Sequence, residues 1–240
     1  MLDNNIVNTD SPCPEAAQYQ MLKAEYRRYS LECDAAMEVL LARIKNLQRG
    51  MEASDERDLI DSVTYRTKTF DSCIGKMRRD GKPMTAEGLR QIRDVAGIRV
   101  VTPFEDDIYK LADALQNQTG LFVSRVKDYV DEPANPKYEK YSYNPAWQRK
   151  GPKENGYASL HMTICVEVFF LGNKVTVPVE VQIRDKTMDA WAAIEHICGY
   201  KCVGRKSPEA LELFKKLANF LRDFRTTAIE LRDFGEKKNK

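Results

Sequence analysis

The chain has 240 residues, of which 42% are hydrophobic and 31% charged, a balance typical of a folded globular protein. Lysine and arginine total 38 against 36 acidic residues, so the net charge of +2 gives no general reason to expect a nucleic-acid partner. No apolar run approaches the roughly 18 residues that span a bilayer, and the N-terminus lacks the pattern of a secretion signal. The six cysteines are widely spaced, which favours free thiols and a cytoplasmic location over a disulfide framework.

Helices are predicted at both ends of the chain. Apolar residues recur at helical spacing from Pro14 to Gly50, and again from Pro208 to Leu231 after a suitable N-cap at Ser207. The apolar stripes of these helices could pack on the core or hold subunits together in a homo-oligomer, for example a tetramer. The chain is accordingly divided into an N-terminal helical extension (1–58), a core (59–203) and a C-terminal helical extension (204–240).

The core alternates strands and helices, which predicts an α+β fold with a mixed sheet of about five strands flanked by helices. A hairpin with a turn at Gly172 is the clearest element, because apolar and polar residues alternate on both sides of it. Pro178 indicates an edge position or a bulge there. The predicted strands are Asp61–Lys68, Gly97–Val101, Leu121–Tyr129 and the hairpin arms 161–168 and 175–183. Three helices are predicted in the core: one that ends near Arg79, one that spans Glu105–Gln118 and one that spans Thr187–Lys201.

Alternation in the second arm of the hairpin has a functional consequence. Because side chains alternate between the faces of a strand, Glu180, Gln182 and Arg184 project together from the face opposite the apolar core. A row of polar and charged side chains on one strand is costly unless it is paired or functional. The segment 130–155 has four prolines and neither helical nor strand periodicity, so it is predicted to be a long functional loop or lid.

Two further clusters could carry chemistry. A basic run includes Arg66, Lys68 and Lys76 around Ser72; guanidinium planes stack on purines, and lysine and serine donors suit a triphosphate. Asp94 lies just before a buried strand from which Arg99 emerges, an arrangement that could pair a metal-binding carboxylate with a cation. Each cluster alone is more often an ordinary solvated surface or turn.

Taken together, the clusters resemble a known family. From about Leu59 to Lys201 the chain resembles the synthetase domain of RelA/SpoT-type enzymes, most closely the small, single-domain alarmone synthetases. Each motif alone is weak, but their order and spacing are specific. The motifs are Tyr65-Arg66-x-Lys68 with Ser72 and Lys76, Asp94-Val-Ala-Gly97-Ile-Arg99, Lys127-Asp128-Tyr129, Lys153-x-Asn155-Gly156-Tyr157-x-Ser159-Leu160-His161, Glu180-Val-Gln182-Ile-Arg184 and Met188-Asp189-x-Trp191.

The resemblance implies a nucleotidyltransferase-like synthetase fold and transfer of the β,γ-pyrophosphate of ATP to the ribose 3′-hydroxyl of GDP or GTP, which yields ppGpp or pppGpp and AMP. It implies that Asp94 and Glu180 bind Mg²⁺ and that Glu180 orients or deprotonates the 3′-hydroxyl. The ATP-binding residues implied are Arg66 and Arg99 around the adenine, with Lys68, Ser72 and Lys76 on the phosphates.

For the guanine nucleotide, the resemblance implies that Tyr157 stacks on the base and that Asp189 accepts hydrogen bonds from it. Four other residues are then expected to bind the acceptor phosphates or to support the site: Lys127, Lys153, His161 and Gln182.

Three departures and one absence bear on these expectations. Ala158 stands where many relatives have a basic residue, the 130–155 segment is longer than usual, and Asp185 stands where relatives often have threonine. Lysines and arginines of the long loop could replace the missing charge or serve another acceptor, such as the 3′ end of tRNA or an adenine nucleotide. The chain has only two histidines, too few for the metal site with which bifunctional relatives hydrolyse alarmones, so hydrolase activity is not expected.

Overall fold

The computed structural model describes residues 14–54, 57–134, 136–201 and 207–238. Across these residues, no helix is both long and apolar enough to cross a bilayer. The helices are α1 (Pro14–Ala53), α2 (Phe70–Arg79), α3 (Ala86–Arg90), α4 (Glu105–Gln116), α5 (Lys186–Lys201) and α6 (Pro208–Lys238). The strands are β1 (Ser62–Thr67), β2 (Ala96–Thr102), β3 (Phe122–Asp128), β4 (Trp147–Arg149), β5 (Leu160–Phe170) and β6 (Asn173–Asp185).

The strands form one mixed sheet in the order β1-β2-β6-β5-β3-β4. β2 runs parallel to β6 and β3 runs parallel to β4, whereas the other neighbours are antiparallel. The predicted α+β fold, with a mixed sheet flanked by helices, is confirmed. The sheet has six strands rather than about five, because the short β4 lies in a segment whose sequence shows no strand period.

One face of the sheet is covered by α1 and α4. Side chains of α1 such as Tyr29, Met37 and Leu40 are almost fully buried against inward-facing valines of β5 and β6, in the same core as Leu111 of α4. Each such side chain contributes roughly 2 kcal/mol by leaving water. The apolar stripe of α1, predicted either to pack on the core or to hold subunits together, therefore belongs to the core of this subunit.

The 130–155 segment is more ordered than its sequence suggests. Within it, Tyr138 stacks on the buried Tyr109 of α4 with ring centroids 4.0 Å apart. Trp147 of β4 donates a hydrogen bond from its indole nitrogen to Asp128, 3.2 Å away. Apart from β4 and a 3-10 turn at Glu139–Tyr141, the described residues of this segment are irregular, as predicted. The sequence did not reveal that aromatic side chains fix the segment to the core or that a backbone ladder joins β4 to β3.

Pro178 lies in β6 just before the point where this strand begins to pair with β2 as well as with β5. Pro178 pairs with Cys165 of β5, while pairing with β2 begins only at Val179. The missing N–H of the proline therefore leaves no gap in a ladder on the β2 side. The predicted edge position is therefore confirmed: up to Pro178, β6 is an edge strand on the β2 side, whereas from Val179 onward it lies in the centre of the sheet.

The C-terminal helix α6 is held to the core by a buried arginine. Ser207 caps its first turn through a hydrogen bond from the Ala210 amide, as predicted. Farther along, the Arg225 guanidinium lies 2.9 Å from a carboxylate oxygen of Glu105 and 3.2 Å from one of Asp185. Because a buried charge is stable only when paired, these contacts fix α6 beside the end of β6.

Candidate active site

Two rows of polar side chains cross the face of the sheet opposite α1. Residues directly paired on neighbouring strands point to the same face, so the register alone brings together residues that are distant in the sequence. The rows are Arg66, Gly97, Glu180, Thr163 and Arg125, followed by Thr64, Arg99, Gln182, His161, Lys127 and Gln148. Many of the residues predicted for ATP and for the guanine nucleotide therefore share one surface.

A cleft of about 340 Å³ opens between β1, β2 and β6 on this face. Its lining includes Arg66, Asp94, Arg99, Glu180 and Gln182. Asp94 comes from the turn before β2, whereas Glu180 lies in the middle of β6. The two acids predicted to bind a metal ion thus line the same cavity, although they are 86 positions apart in the chain.

The Asp94 carboxylate is held by two lysines. Lys68 and Lys76 place their ammonium groups 3.3 and 2.9 Å from its two oxygens. Lys76 lies one helical turn after Ser72 on α2, whose N-terminus is capped by Thr69. The lysines, the serine and the helix N-terminus together give a set of donors suited to phosphate oxygens.

Glu180 is a mostly buried carboxylate with strong local support. Burial alone would raise its pKa, but the hydrogen bond and charge of His161, the amide of Gln182 and the charge of Lys76 lower the pKa of Glu180 to about 2. The His161 ring nitrogen lies 3.6 Å from one oxygen, and the Gln182 amide donates to the other at 2.8 Å. Glu180 is therefore ionised at any ordinary pH, which suits a metal ligand better than a proton acceptor.

Arg99 lines the same cleft and forms no ion pair within the part of the chain that the structure describes. Desolvation and the nearby Arg184 guanidinium lower its pKa, and its Nε atom makes no hydrogen bond among the described residues. The face of such a guanidinium is available for a flat aromatic ligand to stack on it.

Tyr157 lies at the other side of the polar face, in a cage of cationic and aromatic groups. The Lys153 ammonium lies 4.7 Å from its ring centroid. Its hydroxyl is 3.4 Å from the His161 ring nitrogen, and the Trp191 ring packs against it at 5.8 Å. The structure thus brings together three of the residues predicted for the guanine nucleotide: Lys153, Tyr157 and His161.

Asp189, the residue predicted to accept from the base, forms an ion pair with Arg184. The Arg184 side chain is only 6% exposed and that of Asp189 is 40% exposed, so the arginine holds the carboxylate while leaving part of it open to solvent. Sequence analysis placed Arg184 on this face but gave it no role. The sequence feature that could have identified Arg184 is its position at the end of the alternating polar row on β6.

The departure at Asp185 has a structural explanation. One carboxylate oxygen accepts hydrogen bonds from the backbone amides of Thr187 and Met188, which caps the first turn of α5. The other oxygen accepts from Arg225 of α6. An aspartate here ties the start of the helix that carries Asp189 to the C-terminal helix.

Close packing against α6 supports the loop that carries Tyr157. Gly156 has φ +86°, and a Cβ atom added there would overlap with the Cβ of Ala218. Ala158 is 3% exposed and packs with Met188, Trp191 and Ala218. No local sequence pattern could reveal this contact, because it joins residues about 60 positions apart.

Comparison with known proteins agrees with this geometry. The family model described as "Region found in RelA / SpoT proteins" matches residues 65–205. The GTP pyrophosphokinase YwaC of Bacillus subtilis is 31% identical over 166 residues, which cover 68% of this chain and 70% of that protein. The GTP pyrophosphokinase YjbM of the same organism is 29% identical over 189 residues, or 79% of each chain.

A solved structure extends the similarity to the fold. Small alarmone synthetase 1 from Bacillus subtilis, crystallised with its product pppGpp, aligns with a TM-score of 0.72 and 25% identity. The alignment covers 87% of this chain and 96% of that one. From the matched motifs, the shared sheet and the cleft that holds both acids, we conclude that this chain belongs to the RelA/SpoT family.

Proposed function

We propose that this chain is a GTP pyrophosphokinase that moves the β,γ-pyrophosphate of ATP to the 3′-hydroxyl of GDP or GTP. The bond between the 3′-oxygen and the β-phosphorus forms, the bond from the α-phosphate bridge to the β-phosphorus breaks, the proton of the 3′-hydroxyl passes to solvent, and AMP leaves with the bridging oxygen. The observation that carries the proposal is the shared cleft of Asp94 and Glu180, next to Lys68 and Lys76. The names of the two relatives above, both GTP pyrophosphokinases, support it.

ATP would occupy the cleft between β1 and β2. Arg66 and Arg99 both line it, and the charge of Arg66 is near enough to lower the pKa of Arg99, so an adenine ring could lie between their guanidinium planes. The triphosphate would then reach Ser72, Lys68 and Lys76 at the start of α2. Binding of the triphosphate would draw the two lysines from Asp94 and free its oxygens.

The residues of this cleft fit a magnesium ion. Mg²⁺ prefers oxygen ligands, and Asp94 and Glu180 supply carboxylate oxygens from two sides of one cavity. When bound, the ion would neutralise negative charge on the phosphate that is attacked. Because the low pKa of Glu180 makes it a weak base, we assign it to ligation and to orienting the 3′-hydroxyl rather than to taking its proton.

The guanine nucleotide would lie on the other side of Glu180. Tyr157 would stack on the base, and Asp189, held by Arg184, would accept hydrogen bonds from its N1 and N2 positions. Lys127, Lys153 and His161 lie on the same polar face, where their positive or polar groups could hold the acceptor phosphates. Gln182 would support the site by its hydrogen bond to Glu180.

An acceptor panel tests the proposed reaction. ATP labelled in the γ-phosphate would be offered with GDP, GTP, ADP or deacylated tRNA in the presence of Mg²⁺. We expect label in the guanine nucleotides, an equal amount of AMP, and no later loss of the product by hydrolysis. Label on tRNA or ADP alone would reject guanine nucleotides as the acceptor.

We also propose that the protein acts in the cytoplasm as a homo-oligomer, with a tetramer as the expected state. The outer face of α6 supports this, because large apolar side chains repeat on it at spacings of three, four and seven residues. Five of them, Leu213, Phe220, Phe224, Leu231 and Phe234, are 58–70% exposed. A solution mass by light scattering equal to the 27.6 kDa of one chain would contradict self-association.

A further inference from the structure

We propose that Lys150, in the long 130–155 segment, joins Lys127 and Arg125 to bind the 5′-phosphates of the guanine nucleotide. The inference rests on the proposed function and adds two residues to its acceptor site. It also gives the long segment a role: this segment supplies, from a different part of the fold, the positive charge that Ala158 lacks.

Charge cannot come from position 158 in this fold. Ala158 is 3% exposed and lies in a small apolar cluster with Met188, Trp191 and Ala218. Its backbone amide faces the sulfur of Met188 at 3.3 Å. A long basic side chain at this position would have to enter the contact between α5 and α6, away from the polar face of the sheet.

The pairing of β4 with β3 brings Lys150 to the acceptor side. Gln148 is the direct partner of Lys127, and the Lys150 amide donates a hydrogen bond of 2.7 Å to the Asp128 carbonyl. Because side chains alternate along an extended chain, Lys150 points to the same face as Gln148 and Lys127. Residues in this diagonal relation lie roughly 8 Å apart, close enough for both ammonium groups to contact one diphosphate.

The segment is held firmly enough to fix this position. Arg149, the neighbour of Lys150, points to the opposite face and pairs with the buried Asp131 at 3.4 Å. Asp128 accepts hydrogen bonds from the Tyr109 hydroxyl and the Trp147 indole on either side. A lysine on a backbone held in this way binds a ligand at a lower cost in conformational entropy than one on a free loop.

The three cations lack an anionic partner. Arg125, Lys127 and Lys150 form no ion pair with any of the residues that the structure describes. Desolvation and the charges of Arg125, Lys150 and Lys76 lower the pKa of Lys127, with only Glu180 acting in the opposite direction. A bound anion would relieve this repulsion, as expected of a phosphate site.

The position of the cluster selects the acceptor over ATP. Lys68 follows β1 and Lys76 lies on α2, whereas Arg125 and Lys127 lie on β3, four strand positions from β1 in the sheet order. The backbones of β1 and β3 are therefore roughly 19 Å apart at the usual strand spacing, and the Lys76 side chain spans part of that distance, since its charge acts on Lys127. Glu180 on β6 lies between the two sets, so the donor and acceptor phosphates would approach it from opposite sides.

Steady-state kinetics of Lys150→Ala tests the inference. We expect the KM for GDP and GTP to rise about tenfold, as for loss of one charge-assisted hydrogen bond, while the KM for ATP and kcat stay unchanged. Lys150→Arg keeps the charge and should retain most of the affinity. With guanosine, which has no 5′-phosphate, as the acceptor, wild type and Lys150→Ala should behave alike.

Lys140→Ala is the matched control. It removes a lysine of the same segment whose ammonium lies over the Tyr141 ring, 4.8 Å from its centroid, and it should leave every constant unchanged. Unchanged KM values for GDP and GTP in Lys150→Ala, with active wild type, would overturn this inference alone. A wild-type protein that uses neither GDP nor GTP would overturn both this inference and the proposed function.

Discussion

At the scale of single residues, the site depends on how Glu180 is kept charged. It lies in a mostly buried position that would by itself favour the neutral acid, yet His161, Gln182 and Lys76 more than offset the loss of water. Such a carboxylate is stable only while its partners remain in place. The same contacts that keep it charged for the proposed metal ion therefore also make it contribute to the stability of the fold.

This coupling predicts a pH-dependent stability. The pKa of Glu180 is about 2 in the folded protein, against 4.5 for the free side chain, so its contribution is complete above pH 4.5 and is lost as the pH falls towards 2. The difference in free energy of unfolding between wild type and Glu180→Gln should shrink by about 2 kcal/mol from pH 6 to pH 3. Urea unfolding in EDTA at both pH values measures it.

Glu167→Gln provides the comparison for that experiment. Glu167 of β5 lies on the same face of the sheet as Glu180, but it is exposed, and among the described residues its ion pair is with Lys174 at the surface. The free energy of unfolding of Glu167→Gln should therefore differ little from that of the wild type at pH 6, and this difference should change little at pH 3. A difference for Glu180→Gln that stays constant between the two pH values would contradict the strongly lowered pKa.

Much of the site at this scale is predictable from the sequence. The period of two on β6 gives the common face of Glu180 and Gln182, because alternation is a property of the strand itself. The pairing of Asp94 with Lys68 and Lys76 is not predictable in this way, since it depends on where α2 packs after the chain has folded. The roles of Arg125 and Lys150 likewise depend on strand pairing.

At the scale of elements, α6 and the loop that carries Tyr157 act together. Gly156 has a backbone conformation that favours glycine, and it lies directly against Ala218 of α6. Trp191 of α5 completes the contact by donating a hydrogen bond from its indole to the Phe214 carbonyl at 3.2 Å. The C-terminal helix therefore forms one wall of the region proposed for guanine.

Gly156→Ala should disrupt this contact. The new methyl group would overlap with Ala218 and force a positive φ on a residue with a side chain, which together should lower the free energy of unfolding by about 3 kcal/mol. The KM for GDP should rise because Tyr157 shifts with the loop. Urea unfolding and steady-state kinetics measure the two effects.

A second substitution separates the overlap from the backbone strain. In an Ala218→Gly background the methyl group of Ala218 is gone, so Gly156→Ala should cost about 2 kcal/mol less than it does in the wild type. The remaining cost would report the positive φ alone. Equal costs in the two backgrounds would show that Gly156 and Ala218 do not form the contact described.

The elements also show where sequence patterns stop being informative. The β5–β6 hairpin is predictable because its alternation is long and its turn contains glycine. β4 is not predictable, because its three residues, with prolines nearby, carry no period. Trp147 holds it in place by its hydrogen bond to Asp128 and by stacking on Tyr109 with ring centroids 6.4 Å apart. The burial of α1 is likewise a tertiary result, because an apolar stripe does not identify its partner.

At the scale of the whole molecule, one sheet carries the two proposed nucleotide sites on either side of its centre. The residues proposed for ATP lie on or next to β1, β2 and α2, and most of those proposed for the acceptor lie on β3, β5 and the loop before β5. β6 carries Glu180 between them. Pyrophosphate transfer requires this arrangement, because the attacking hydroxyl and the leaving AMP must lie on opposite sides of the β-phosphorus.

The position of the label after transfer tests this account most directly. With ATP labelled in the β-phosphate and GDP as the acceptor, we expect label in the guanine product, unlabelled AMP in equal amount, and the same result for Glu167→Gln. Glu180→Gln should fold normally but transfer at least about a thousandfold more slowly, because the charge at the centre of the site is lost. Label retained in ADP, or transfer by Glu180→Gln at the wild-type rate, would contradict the account.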